Sequence, residues 1–247
     1  MPNWCENKLE ISVSNATQLA DVKAKLFSFD ENNEQQLDFN LIVPMPEAMR
    51  IDSGAIGYCS QALLETFPHQ LLTLERLEEL IPHCAESQYE RIKKLALSQM
   101  WTVGDFIQWL KQYPEEQPAC HLDLQLGQQY IDNMKRYGCT DWYHWACQYW
   151  GTKSNGYLGY TEESKTHITF WFDTAWTPPE PWFIALCQHF PTFYMHLYYY
   201  EPGCFFAGEM VSDEQGEGVK IIAETDEEIK YIAQQHFGEE FDEEFDN

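Results

Sequence analysis

Residues 166–210 read THITFWFDTAWTPPEPWFIALCQHFPTFYMHLYYYEPGCFFAGEM, and the fold follows from how this stretch divides. Ile168, Phe170 and Phe172 alternate with His167, Thr169, Trp171 and Asp173, the two-residue period of a strand with one buried face. Thr177-Pro178-Pro179-Glu180 then offers a capping hydroxyl, a proline at the first helical position and a glutamate three residues after the cap. Phe183, Leu186, Cys187 and Phe190 recur at helical spacing until Pro191. A second strand places Phe193, Met195, Leu197 and Tyr199 on one side and Tyr194, His196, Tyr198 and Tyr200 on the other. Glu201-Pro202-Gly203 turns the chain into a hairpin partner from Cys204 to Val211.

The N-terminus repeats the pattern. Leu9, Ile11 and Val13 mark a strand, Ser14 or Asn15 caps a helix whose apolar stripe is Leu19, Val22, Leu26 and Phe29, and Phe39, Leu41 and Val43 suggest another strand up to Pro44. Strand, helix, strand, and after a gap strand, helix, strand is the order of a ferredoxin-like split βαβ sandwich, an α+β fold with two helices on one face of an antiparallel sheet. The domain boundaries expected are a core of 1–44 and 141–222, a long mainly helical insertion at 45–140, and an acidic C-terminal helix or tail at 223–247. The sheet face away from the helices carries His167, Trp171, Tyr194, His196, Tyr198 and Tyr200, too aromatic a surface to be left to water.

Within the insertion, short helices are expected around Leu63 to Phe67, from Leu71 to Ile81, from Ala85 to Trp101, after a cap at Thr102, and from His121 to Tyr137 before Gly138. Asp141 to Trp150, DWYHWACQYW, reads as a very aromatic helix. Its position just before the sheet's third strand leads one to expect Trp142, Trp145 and Tyr149 on the open aromatic face.

The 247 residues are 44% hydrophobic, enough for a substantial core. They contain no apolar run able to span a bilayer, and Met1-Pro2-Asn3-Trp4 lacks a signal peptide's basic and apolar regions, so a cytoplasmic protein with no membrane contact is expected. Eight scattered cysteines fit reduced thiols better than a disulfide framework. Forty acidic against fifteen basic residues give a net charge of −25, which argues against direct nucleic-acid binding and favours a basic partner. Ten of these carboxylates lie between Glu224 and Asn247, a run that reads as a solvated tail.

Four blocks carry a resemblance. Met1-Pro2-Asn3-Trp4-Cys5-Glu6-Asn7-Lys8-Leu9, Trp150-Gly151-Thr152-Lys153-Ser154-Asn155, Thr174-Ala175-Trp176-Thr177-Pro178-Pro179 and Tyr200-Glu201-Pro202-Gly203-Cys204-Phe205-Phe206-Ala207-Gly208 resemble the motif blocks of the YubB-type ferredoxin-like proteins of conjugative plasmids, prophages and phages. The resemblance implies the fold and a mobile-element origin, and it brings no established activity. It departs at Ser154, where that family often has a second tryptophan.

No catalytic residue, metal site or cofactor is assigned. Cys139, His144 and Cys147 lack a fourth ligand and the paired spacing of structural zinc, Cys5, His167 and His196 would have to converge to make a nucleophile, and the Gly151–Gly159 loop leads into a strand rather than a phosphate-binding helix. If the blocks converge, Asn7, Lys153, Asn155, Asp173 and Glu201 would meet a rim of Trp4, Trp150 and Trp176 as a ligand pocket. Alternatively, Lys153, Asp173 and Glu201 tie the loops to the sheet. Two functions result: a non-enzymatic binding protein of a mobile element whose acidic surface engages a host protein, with counter-defence by imitation of DNA charge as its sharpest form, or a small-ligand or nucleotide-sequestering protein using the tryptophan-rimmed pocket. The oligomeric state is not legible.

Overall fold

A computed structural model describes residues 3–213, 216 and 218–241. In chain order its main elements begin with β1 (Trp4–Ser12), α1 (Ala16–Leu26), β2 (Phe27–Phe29) and β3 (Gln35–Leu37). Six helices follow, α2 (Ala55–Glu65), α3 (Leu74–Leu80), α4 (Glu86–Gln99), α5 (Val103–Gln112), α6 (Leu124–Tyr137) and α7 (Trp142–Tyr149). The chain ends with β4 (Tyr157–Glu163), β5 (His167–Ala175), α8 (Glu180–His189), β6 (Tyr194–Glu201), β7 (Phe206–Ser212), β8 (Gly218–Ile222) and α9 (Asp226–Phe237). It divides into two compact units, 1–45 with 146–247, and 46–145.

The first unit is a ferredoxin-like α+β domain. Its six-stranded sheet runs β4-β5-β1-β6-β7-β8 with every pairing antiparallel, so β1 lies between β5 and β6 and splits the β5-α8-β6 unit. The register pairs Leu9 with Phe170 and with Leu197, and Ile11 with Ile168 and with Met195. These side chains share one face and are fully buried. Trp182, Phe183, Leu186 and Cys187 of α8 and Leu19, Val22 and Leu26 of α1 are buried with them. α1 begins at Asn15, whose side chain accepts the Gln18 N–H. α8 departs from expectation at its start: Pro179 is the residue before the helix, and the Thr177 hydroxyl donates to the Gly151 carbonyl (2.6 Å) instead of capping.

The expected strand over Phe39, Leu41 and Val43 is a single 3₁₀ turn, Phe39–Leu41. Its amides are already taken, since Asp38 Oδ1 accepts from Asn40 N and Asn155 Oδ1 from Phe39 N. The Phe39 ring sits between Trp182 (4.4 Å), Trp150 (5.8 Å) and Phe172 (6.4 Å). Burying that ring among three others outweighs the few ladder bonds an edge strand would add. The sheet edge beside β5 is taken instead by β4, after the insertion.

The opposite sheet face is covered by α9, which packs on β1, β6 and β7. This overturns the expectation that the 142–149 helix lies there. Trp150, just after that helix, goes to the Phe39 side of the sheet, where Nε1 donates to the Val43 carbonyl (2.9 Å). Of the helix or solvated tail expected in this acidic run, the structure has the helix, and α9 is amphipathic. Ile229 and Ala233 pack with Tyr200 and Ala207, while Thr225 and Glu228 form a capping box. Beyond the helix, Phe241 packs on Phe205, with Lys230 over its ring.

The second unit is helical, with a core built from Leu63, Leu77, Ile92, Phe106, Leu110 and their neighbours. Thr102 and Asp105 form a capping box on α5, and Gly138 ends α6 with φ +74°. α2 and α6 approach closely at Gly127, where a Cβ would stand 2.7 Å from the Ser60 carbonyl carbon. Among the described residues, no helix is long and apolar enough to cross a membrane.

Candidate functional site

The four motif blocks meet at one end of the sheet. Trp176 N donates to the Asn3 carbonyl (2.9 Å), Thr152 Oγ1 to the Ala175 carbonyl (3.1 Å), and Asn3 Nδ2 approaches Cys204 Sγ (3.8 Å). What binds the blocks together is mostly backbone. Glu201 is buried, and its carboxylate accepts from Gly203 N (2.8 Å) and Cys204 N (2.5 Å), which holds the turn between β6 and β7. Asn7 is buried on the core face, with Nδ2 reaching the Cys5 and Phe172 carbonyls and Thr174 Oγ1.

The eight side chains expected at a pocket therefore occupy different surroundings. Trp150 and Asn155 lie with Phe39 on the helix-covered side. Asn7 and Glu201 are buried and occupied with neighbouring chain. Trp4 and Trp176 are exposed, Trp4 against Tyr157 in an edge contact (5.1 Å) and Trp176 with a left-handed backbone at φ +73°. Asp173 is directly opposite Glu6 across the β1–β5 pair. Both carboxyls are pushed above the usual carboxylate range, Asp173 by partial burial and Glu6 by burial with added repulsion from Asp173 and Glu239. Lys153, half-exposed, has no hydrogen-bond or ion-pair partner among the described residues.

A tighter polar constellation lies on the α9-covered face. Lys8 Nζ is 2.6 Å from Glu10 Oε1 and stands over the rings of Trp171 (5.5 Å) and Tyr198 (5.6 Å). Glu209 Oε2 lies 2.6 Å from His196 Nε2, and the Tyr198 hydroxyl lies 2.9 Å from His196 Nδ1. His196 stacks on Tyr198 at 3.9 Å, and His236 of α9 stacks on Tyr198 at 3.6 Å. A carboxylate, an imidazole and a hydroxyl in a row have the makeup of a nucleophile relay, but the chemistry points elsewhere. Burial, together with Glu10 and Glu209, pushes the Tyr198 phenol up to about 12, so it keeps its proton and serves as a hydrogen-bond donor. His236 is shifted the other way: burial, reinforced by Lys8, holds its imidazole below the usual histidine range, and Nδ1 is buried without a partner among the described residues.

Cys5 does not join His167 and His196. It is buried on the core face, its thiol pushed far up by burial, whereas both histidines sit on the opposite sheet face. In the second unit, His144 Nδ1 lies 3.1 Å from Asp141 and 3.0 Å from the Tyr58 hydroxyl, and no group of three or more metal-ligating side chains forms among the described residues. Burial raises the Asp141 carboxyl, but hydrogen bonds from Thr140, Tyr58 and His144 outweigh it and hold the group below the usual range. Asp141 also accepts from the backbone N–H groups of Tyr143 and His144, an N-cap.

The sequence alone does not single out Glu209 and His236. A signal existed: Ile229, Ile232, Ala233 and His236 recur at helical spacing within the acidic run, and the alternation of β7 sets Glu209 opposite Tyr198.

The sheet and its helices correspond to a known family domain. Residues 156–246 match the family model described as a ferredoxin-like domain in Api92-like protein. This segment contains β4 to β8, α8 and α9, hence the split unit and the helix on the aromatic face. A crystal structure of protein Api92 from Yersinia pseudotuberculosis aligns over 91% of this chain and 100% of that chain, with 12% identity and a TM-score of 0.39. No curated protein matches the chain.

Proposed function

We propose that the chain is a non-enzymatic binding protein whose acidic folded body engages a protein with a basic surface in the cytoplasm. Charge carries the reading. The net charge is −25, and seven of the fifteen basic residues, Lys8, Lys23, Arg50, Arg76, Arg91, Lys93 and Lys220, already sit beside a carboxylate of the same chain. The eight remaining cations face a much larger number of carboxylates, so the field outside the protein attracts a basic surface and repels phosphate backbones. The Tyr198 phenol, held protonated, and the buried Cys5 thiol supply no activated nucleophile. The YubB-type resemblance adds a mobile-element setting, in which the partner is a host protein and counter-defence by imitation of DNA is the specific form.

The test is capture of partners from a host lysate, followed by binding at increasing salt. Affinity should fall steeply as salt screens charges beyond about 8–10 Å. Double-stranded DNA should compete for the same site if imitation is the mechanism. A partner that holds equally well in high salt defeats the charge reading; one that binds DNA and this protein together defeats the imitation alone.

A further inference from the structure

We propose that the cavity between α9 and the β7–β8 edge of the sheet is a binding site for a small organic cation with an apolar body. Its volume is about 360 Å³, within the usual size of ligand pockets. Ile221, Ile222 and Ile232 form apolar walls and Tyr231 adds an aromatic face, while the Tyr198 ring, which also lines the cavity, is already stacked by His196 and His236. Ile222 is 57% and Tyr231 63% exposed, an apolar and aromatic mouth on a chain otherwise rich in charge. Among the described residues, the charged ones lining it are Glu209, Glu227 and Glu228, with no lysine or arginine. Glu209 is engaged with His196, and Glu228 closes the capping box, whereas Glu227 has no hydrogen-bond or ion-pair partner among the described residues. His236, the remaining polar lining residue, is held neutral by burial. Apolar walls, the Tyr231 face and an acidic lining in which Glu227 is unpaired among the described residues favour an ammonium on an aryl or alkyl body and disfavour an anion of equal size. This site differs from a surface for a basic protein in selecting an apolar body together with a positive charge.

The probes are phenethylamine, benzyltrimethylammonium and the anion 3-phenylpropionate, titrated calorimetrically into the full chain. Both cations should bind and the anion should not. Tyr231→Ala should weaken the cations about five-fold, the loss of one cation–π face, and Glu227→Gln should weaken them by a smaller factor. Circular dichroism checks that each variant is folded; should Tyr231→Ala unfold, Glu227→Gln and the cation–anion contrast decide. Failure of both cations to bind, equal binding of the anion, or cation binding unchanged in the folded variants overturns the site. None of these outcomes bears on the salt dependence of a protein partner.

Discussion

His236 on α9 lies flat on Tyr198 of β6, with ring centroids 3.6 Å apart and planes 15° from parallel. The contact holds the C-terminal helix to the sheet through a neutral imidazole, since burial and Lys8 depress its protonation. A histidine depressed in the folded state binds fewer protons there than when unfolded. Its contribution is therefore complete above the unfolded value of about 6.5 and is lost as pH falls through that value toward the folded one. Melting curves at about pH 7.5 and about pH 5 should show a loss of stability that His236→Phe, which keeps a ring but cannot titrate, reduces. An unchanged pH difference in the variant would show that other groups dominate.

Glu6 and Asp173 place like charges directly opposite each other on β1 and β5. Both carboxyls are raised in the folded state, so folding favours their protonated forms, and the pair weakens the protein as pH rises through their folded values. Asp173→Asn should stabilise the protein at neutral pH by about 0.5 kcal/mol, less at high salt. Denaturant unfolding with and without added salt measures both effects, and a destabilised variant would reject the repulsion.

Glu201 and Lys153 separate a structural from a recognition role. The buried Glu201 carboxylate holds two backbone N–H groups, so Glu201→Gln should cost about 1–3 kcal/mol. Lys153 touches no partner among the described residues, and Lys153→Ala should stay within about 0.5 kcal/mol of the parent. Paired chemical denaturation curves decide; a neutral Glu201→Gln would return that residue to the ligand candidates.

Phe170 and Phe183 are fully buried on the helix-covered face. Each Phe→Ala change should cost about 3–5 kcal/mol through lost transfer energy and the cavity left behind. Values under about 1 kcal/mol for both would contradict the packing described.

Gly127 gives the corresponding test in the helical unit. A methyl group there meets Ser60 at 2.6 Å from its Cβ and 2.7 Å from its carbonyl carbon, so α2 and α6 must separate. Gly127→Ala should therefore destabilise the unit by about 1–3 kcal/mol even though alanine is the better helix former. Hydrogen exchange should show the loss confined to residues 46–145, and a stabilised variant would refute the close approach.

Short-range information was legible in the sequence. The alternation of Ile168, Phe170 and Phe172, a cap at Ser14 or Asn15, the cap at Thr102 and the stop at Gly138 each depend on neighbours two to four residues away, and the structure has each, with Asn15 as the first cap. From these the split βαβ order and its antiparallel sheet could be read. Phe39, Trp150 and His236 show what remained beyond reach. An alternating apolar run around Phe39 is compatible with a strand until its amides find Asp38 and Asn155, the latter 116 residues away. Two amphipathic segments competed for one aromatic sheet face, and local pattern could not rank them. The outcome was decided by long-range packing: Trp150 is drawn to the Val43 carbonyl and Phe39 ring, and α9 brings Ile229, Ala233 and His236 onto Tyr200 and Tyr198. The cavity beside α9 exists only because of that choice, since its walls come from β6, β7, β8 and α9, and side-chain periodicity within one segment carries no information about which distant segment will cover it.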